Sequence, residues 1–190
     1  MIDIFLKAKH WQIFLLTFGL PFLIPLIMMP LTIMGNDPMI LVNVFPFVLI
    51  LFIGGLLGWF WAIGVGLQNK IPSYLQMKVG RFKTFLLIPL AYISLILAFM
   101  GFSIAGYIEN QQTPSIGMIV VLASVLVLLH LFSMFCLFYC MYFVAKTLKT
   151  VELQKEVLFS DFAGEFFIVW FFPIGIWIIQ PKINKMIEYQ

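Results

Sequence analysis

From Gly117 to Val144 the chain runs 28 residues without an Asp, Glu, Lys or Arg. A helix rises about 1.5 Å per residue, so crossing roughly 30 Å of hydrocarbon takes about 20 apolar residues. Three further runs meet that length: Trp11–Met34, a second that starts near residue 44 and ends near Leu67, and Phe85–Tyr107. Inside lipid every backbone N–H and C=O must pair within the polypeptide, which leaves helices or a closed barrel. Barrel strands are shorter and alternate with period two, and these runs do neither. The expected fold is an all-α integral membrane bundle with four transmembrane helices.

Composition agrees. Of the 190 residues 63% are hydrophobic and 10% charged, at a mean hydropathy of +1.10. Soluble domains are about half apolar and a quarter charged, so residues 1–190 are expected to form one membrane domain. The lipid bilayer is the expected partner. The net charge of +3 comes from lysines that flank apolar runs without forming a basic stripe, which excludes nucleic acid. Lys7 and Lys9 precede the first run as in a signal peptide. That run exceeds a signal core and no A-x-A-like site follows, so an uncleaved first span is expected.

The basic residues orient the bundle. Lys7 and Lys9 precede span one, Lys70, Lys78, Arg81 and Lys83 separate spans two and three, and Lys146, Lys149 and Lys155 follow span four. The opposite loops carry Asp37 and Glu109 and no Lys or Arg. These nine cations place the N-terminus in the cytoplasm. Short surface helices are expected near Ile71–Leu75 and over Leu148–Phe159, where apolar residues mix with lysines.

The last apolar run, within residues 162–180, is harder to place. Glu165 and Gln180 enclose 14 residues, about 21 Å of helix and too short to span. Pro173 removes a helical hydrogen bond, Gly175 permits a turn, and a full crossing would strand Lys182 and Lys185 on the far side. A re-entrant or interfacial helical hairpin turning at Pro173–Gly175 is expected, with the C-terminus cytoplasmic; a kinked fifth span is the alternative. Asp161 is placed to cap the helix leading in, and Glu165 to pair with Lys182.

Span two spaces Gly54, Gly58, Ala62 and Gly66 at i+4, and span three carries Ala91, Ser94, Ala98, Gly101 and Ala105. Small residues on one face let helix backbones approach closely, so a seam between these two spans is expected. Pro21, Pro25 and Pro30 should bend span one. Trp11, Trp59 and Trp61 sit near span ends, as interfacial anchors do.

Chemistry is sparse. His130 is the one ionisable side chain deep in the four spans, and such a group is expensive in lipid. It is a candidate functional residue, for a proton or substrate path, or a neutral imidazole bonded to a neighbouring helix such as one carrying Ser94. Cys136 and Cys140 lie i, i+4 within span four, on a different face from His130, and are expected to pack. No H-E-x-x-H, P-loop or carboxylate pair occurs. No catalytic, metal or cofactor site is expected, and no cofactor.

The segments LKAKHWQIFLL (Leu6–Leu16) and WFFPIGIWIIQPKIN (Trp170–Asn184) resemble the ends of small multi-pass membrane proteins of bacteria. The resemblance covers about a fifth of the chain; it implies a bacterial inner-membrane location and carries over no functional residue. The basic, aromatic lead-in to span one is also similar to permease subunits of export ATPases, whose larger span count is lacking. The expected function is a non-enzymatic accessory or structural membrane subunit, assembling with itself or another membrane subunit. A small oligomeric transporter or channel is the alternative.

Overall fold

The structure, a computed structural model, describes residues 2–35, 39–110 and 115–188, with the backbone alone for 101–110. Among these residues there are helices and no strands. A short α1 (Ile2–Lys7) precedes α2 (His10–Phe14), which continues through a π turn (Leu15–Gly19) into α3 (Leu20–Gly35). Then come α4 (Met39–Gly66), a single 3₁₀ turn (Gln68–Lys70), α5 (Val79–Asn110), α6 (Ile116–Leu153), α7 (Phe159–Trp170) and α8 (Phe172–Glu188). Four stretches are long and apolar enough to cross a membrane: His10–Gly35, α4 with its 3₁₀ extension, Val79–Met100 of α5, and α6. Three of them contain the expected first, second and fourth spans, and Val79–Met100 overlaps the expected Phe85–Tyr107 from Phe85 to Met100.

The π turn has a local cause. Pro21 has no N–H to offer the Thr17 carbonyl, so the ladder slips one residue and the Leu20 N–H donates to Leu15 O. Thr17 is fully buried there, and its hydroxyl donates to Ile13 O at 2.8 Å. Pro25 and Pro30 then lie within a continuous α3.

The expected surface helices do not form. Residues 71–78 are a turn-rich loop, and α6 runs on to Leu153, nine residues past the expected end of span four. The extension is held by Lys149 pairing with Glu152 one turn on, at 3.0 Å. It stops where Gln154 adopts the left-handed conformation (φ 53°, ψ 31°), a short polar cap that satisfies the last turn's carbonyls. The Gln154 side-chain amide donates to Lys70 O, and the Tyr74 hydroxyl donates to Gln154 O, so the loop is clamped across the end of α6.

The core is concentrated at the basic end. Trp59, Phe60, Ile63, Phe82, Val144 and Ile179 are among its fully buried members, and Phe82 stacks on Phe143 with centroids 4.6 Å apart. Farther out the chain separates into two helical pairs, α3 with α4 and α5 with α6. Large apolar side chains there face outward, including Leu26 and Met34 on α3, Phe47 on α4 and Leu128 on α6. In water that surface would collapse; lipid is the solvent that keeps it extended.

The C-terminal run is a hairpin. Twelve residues of α7 give about 18 Å of helix, and the chain turns at Phe171 (φ −82°, ψ 53°), two residues before the expected Pro173–Gly175, both of which lie in the first turn of α8. Pro173 falls in the first turn of α8, where a missing N–H costs nothing. At the turn, Phe172 packs on Phe18 and Phe52, and Phe52 is halfway along α4. Lys182 returns to within 3.4 Å of Glu165. The segment therefore rises to the middle of the bundle and comes back. The turn is tight because Gly175 lies on the α7 backbone: a Cβ there would sit 2.1 Å from Ile168 O. Gly175 is buried and Pro173 half-buried, while Phe171 and Ile174 face outward.

Candidate functional site

A six-residue helix has too few hydrogen bonds to hold itself, and four of its carbonyls have no helical partner. α1 solves both problems through residues far away in sequence. Its apolar side drops onto the glycine face of α4, where a Cβ at Gly58 would meet Phe5 at 2.8 Å and one at Gly66 would meet Ile2 at 2.5 Å. Two of its last carbonyls, Phe5 O and Leu6 O, and that of Ala8 just beyond it are taken by α8. The two N–H groups of Gln180 Nε2 are shared among Phe5 O (3.0 Å), Leu6 O (3.2 Å) and Ala8 O (2.8 Å), and Asn184 Nδ2 donates to Leu6 O (2.9 Å) and Ala8 O (3.2 Å). The remaining Gln180 oxygen accepts from the Trp59 indole N–H at 2.8 Å. Gln180 and Trp59 are both fully buried. Lys70 adds a bond from its ammonium to Met186 O.

Trp59 is thus not the interfacial anchor its position suggests, since its side chain is the donor that fixes Gln180. Trp11 is exposed, and Trp61 carries Lys83 over its ring at 5.4 Å. On the other flank of α8, His10 lies against Trp177 with centroids 4.5 Å apart.

A second polar cluster joins the hairpin to α6. Glu165 Oε1 accepts from Lys149 at 3.2 Å and from Lys182 at 3.4 Å, with 12% of the Glu165 side chain exposed. Burial pushes this carboxyl up. Its own backbone N–H and the ammonium groups of Lys149 and Lys182 outweigh that, and the net position is below the ordinary carboxylate range. The pairing with Lys182 follows the sequence expectation; Lys149 is an addition. Asp161 accepts from the Leu158 N–H at 2.8 Å and so caps α7.

The small-residue series part company with the expected seam. Gly54 has open space around it, Gly58 and Gly66 receive α1, and Ala62 is buried. Span three meets span two instead at Gly64, where the Phe82 ring leaves 2.5 Å for a Cβ, and span one crosses at Gly55 against Thr17 at 2.9 Å. Ala91, Ser94 and Ala98 point outward. Gly101 and Ala105 lie in α5 where side-chain surroundings are outside the described residues.

His130 is also on the outer surface. Its Nδ1 is 3.3 Å from the Tyr92 hydroxyl, while Ser94 bonds back to Leu90 O within its own helix. The third and fourth spans do adjoin, and Tyr92, rather than Ser94, is the neighbour His130 finds. Cys136 and Cys140 are free and buried in the core. No group of three metal-ligating side chains occurs among the described residues.

No family model, curated protein or solved structure matches the chain. What sequence reading missed is Gln180 and Asn184. Their signal was a lone amide inside an apolar run, a group that must find partners wherever it is buried.

Proposed function

We propose that this is a non-enzymatic membrane subunit, working in a bacterial inner membrane with its basic end in the cytoplasm, that assembles with a second copy through the outer face of α5 and α6. One observation carries the reading: four glycines of span two are covered by neighbours, yet Ala91, Ser94 and Ala98 on span three are left bare. Close-packing residues facing lipid gain nothing there and gain dispersion contacts against another helix. The Tyr92–His130 pair, polar and exposed on the same helical pair, supports this, because a facing helix would shield it from hydrocarbon. The non-enzymatic reading is supported by the use of the polar side chains, which in both clusters hold helices together.

The test is molecular mass in mild detergent and in bilayer nanodiscs. The wild type should run as twice the 21.9 kDa chain, and Ala98→Phe should run as a monomer with its thermal midpoint unchanged. A wild-type monomer in both settings, with no membrane protein co-purifying from native membranes, would remove the assembly reading. A small oligomeric transporter or channel with His130 on its path would need that path to run between copies, since His130 lies on the outer face of the single chain.

A further inference from the structure

Lys7 sits on the ridge between two cavities. On one side lies a polar cavity of about 370 Å³ between α1, the end of α4 and α8, lined by Asp3, Lys7, Asn69 and Lys70 above Gly66 and Leu67. On the other lies an apolar groove of about 430 Å³ along α1 and α2, walled by Phe5, Ala8, Ile13 and Leu16. Lys7 and Gln12 are its polar lining, and it has no acidic lining residue. Two lysines against one aspartate give the polar cavity a net positive balance.

We propose that this pair of cavities is a binding site for one anionic phospholipid, with the headgroup phosphate held between Lys7 and Lys70 and an acyl chain laid in the groove. The two halves match the two ends of such a molecule, and the cation stands at their junction. The groove opens beside Ile4, 72% exposed, and the exposed Trp11, an arrangement suited to the boundary between headgroups and acyl chains. Basic pockets on the cytoplasmic side of helical bundles hold anionic headgroups by the same attraction, at about fivefold in affinity for each lysine near the surface. Neither the α5–α6 face nor the oligomeric state enters this proposal.

Native mass spectrometry of the full chain in mild detergent, titrated with phosphatidylglycerol or phosphatidylcholine, tests it. Wild type should retain one phosphatidylglycerol at least about fivefold more strongly than phosphatidylcholine. Lys7→Gln should lower phosphatidylglycerol retention about fivefold and leave phosphatidylcholine alone. Ala8→Phe, which fills the groove, should lower both. Inorganic phosphate should not displace the lipid. Equal retention by Lys7→Gln and wild type overturns the proposal. So does an equal loss in Lys155→Gln, whose charge lies elsewhere on the basic end, because general attraction would then suffice. Displacement by inorganic phosphate would reduce the site to a phosphate pocket and overturn the lipid assignment.

Discussion

Gly175→Ala measures how tightly the hairpin is closed. The new methyl carbon would stand 2.1 Å from Ile168 O and 2.9 Å from its carbonyl carbon. Ordinary contact begins at 3.4 Å, so the first is short by about 1.3 Å. The obstacle is backbone, and no side-chain rotation relieves it. The two helices must spread, and the nearby Ile176 and Ile179, both buried, lose contacts as they do. Overpacking of this kind costs about 1–3 kcal/mol. Replacing a helical glycine by alanine returns roughly 0.5–1 kcal/mol. Because the obstacle is backbone, the upper part of the overpacking cost, about 2–3 kcal/mol, applies. A net loss of about 1–2.5 kcal/mol remains, which in a chain of this size lowers the thermal midpoint by about 2–10 °C. Gly164→Ala is the internal control: it lies in α7 with nothing within 4 Å of the added carbon. That variant gains only the helix term and should melt about 1–4 °C higher. Thermal unfolding in one mild detergent at one scan rate, followed by tryptophan fluorescence, compares the three proteins. If Gly175→Ala melts at or above wild type, or the two variants shift in the same direction, the hairpin crossing is wrong.

Gln180→Leu should loosen α1, because Phe5 O and the Trp59 indole lose their partner inside the core while Leu6 O and Ala8 O keep only Asn184; we expect about 2–4 kcal/mol, read as accelerated hydrogen exchange over residues 2–8. Trp59→Phe should cost less, about 1–3 kcal/mol, since it orphans only the Gln180 oxygen. Glu165 adds a pH dependence: its carboxyl is depressed in the folded state, so its contribution is full above the unfolded value of about 4.3 and is lost as pH falls through the folded value. The wild-type thermal midpoint should therefore hold from neutrality to about pH 5 and then fall more steeply than that of Glu165→Gln, and parallel curves would contradict the ion cluster. His130→Ala should change stability by less than about 1 kcal/mol, since it removes one exposed 3.3 Å contact; loss of an ion flux in proteoliposomes carrying this variant would revive the channel reading.

Span number was legible because lipid thickness imposes a length, and length can be counted along Trp11–Met34 or Gly117–Val144. The hairpin was legible because 14 apolar residues cannot cross and two lysines follow them. Helix pairing was not. An i+4 glycine series states that something approaches closely and leaves the occupant open; here the occupant of Gly58 and Gly66 is α1, a helix too short to be recognised as a packing element. Gln180 was illegible for a related reason, since its partners are backbone carbonyls 172 to 175 residues away, and carbonyls leave no mark in a sequence.

These two misses have one cause. α1 cannot persist alone at six residues. It needs a groove without side chains, which α4 supplies, and donors for its last carbonyls, which only a segment returning to the same end can supply. A fifth span would carry Gln180 and Asn184 to the opposite end of the bundle and leave Phe5, Leu6 and Ala8 without partners. The turn at Phe171 and the fold of the N-terminus are therefore one structural decision, and a change that opens the hairpin should be felt first at residues 2–8.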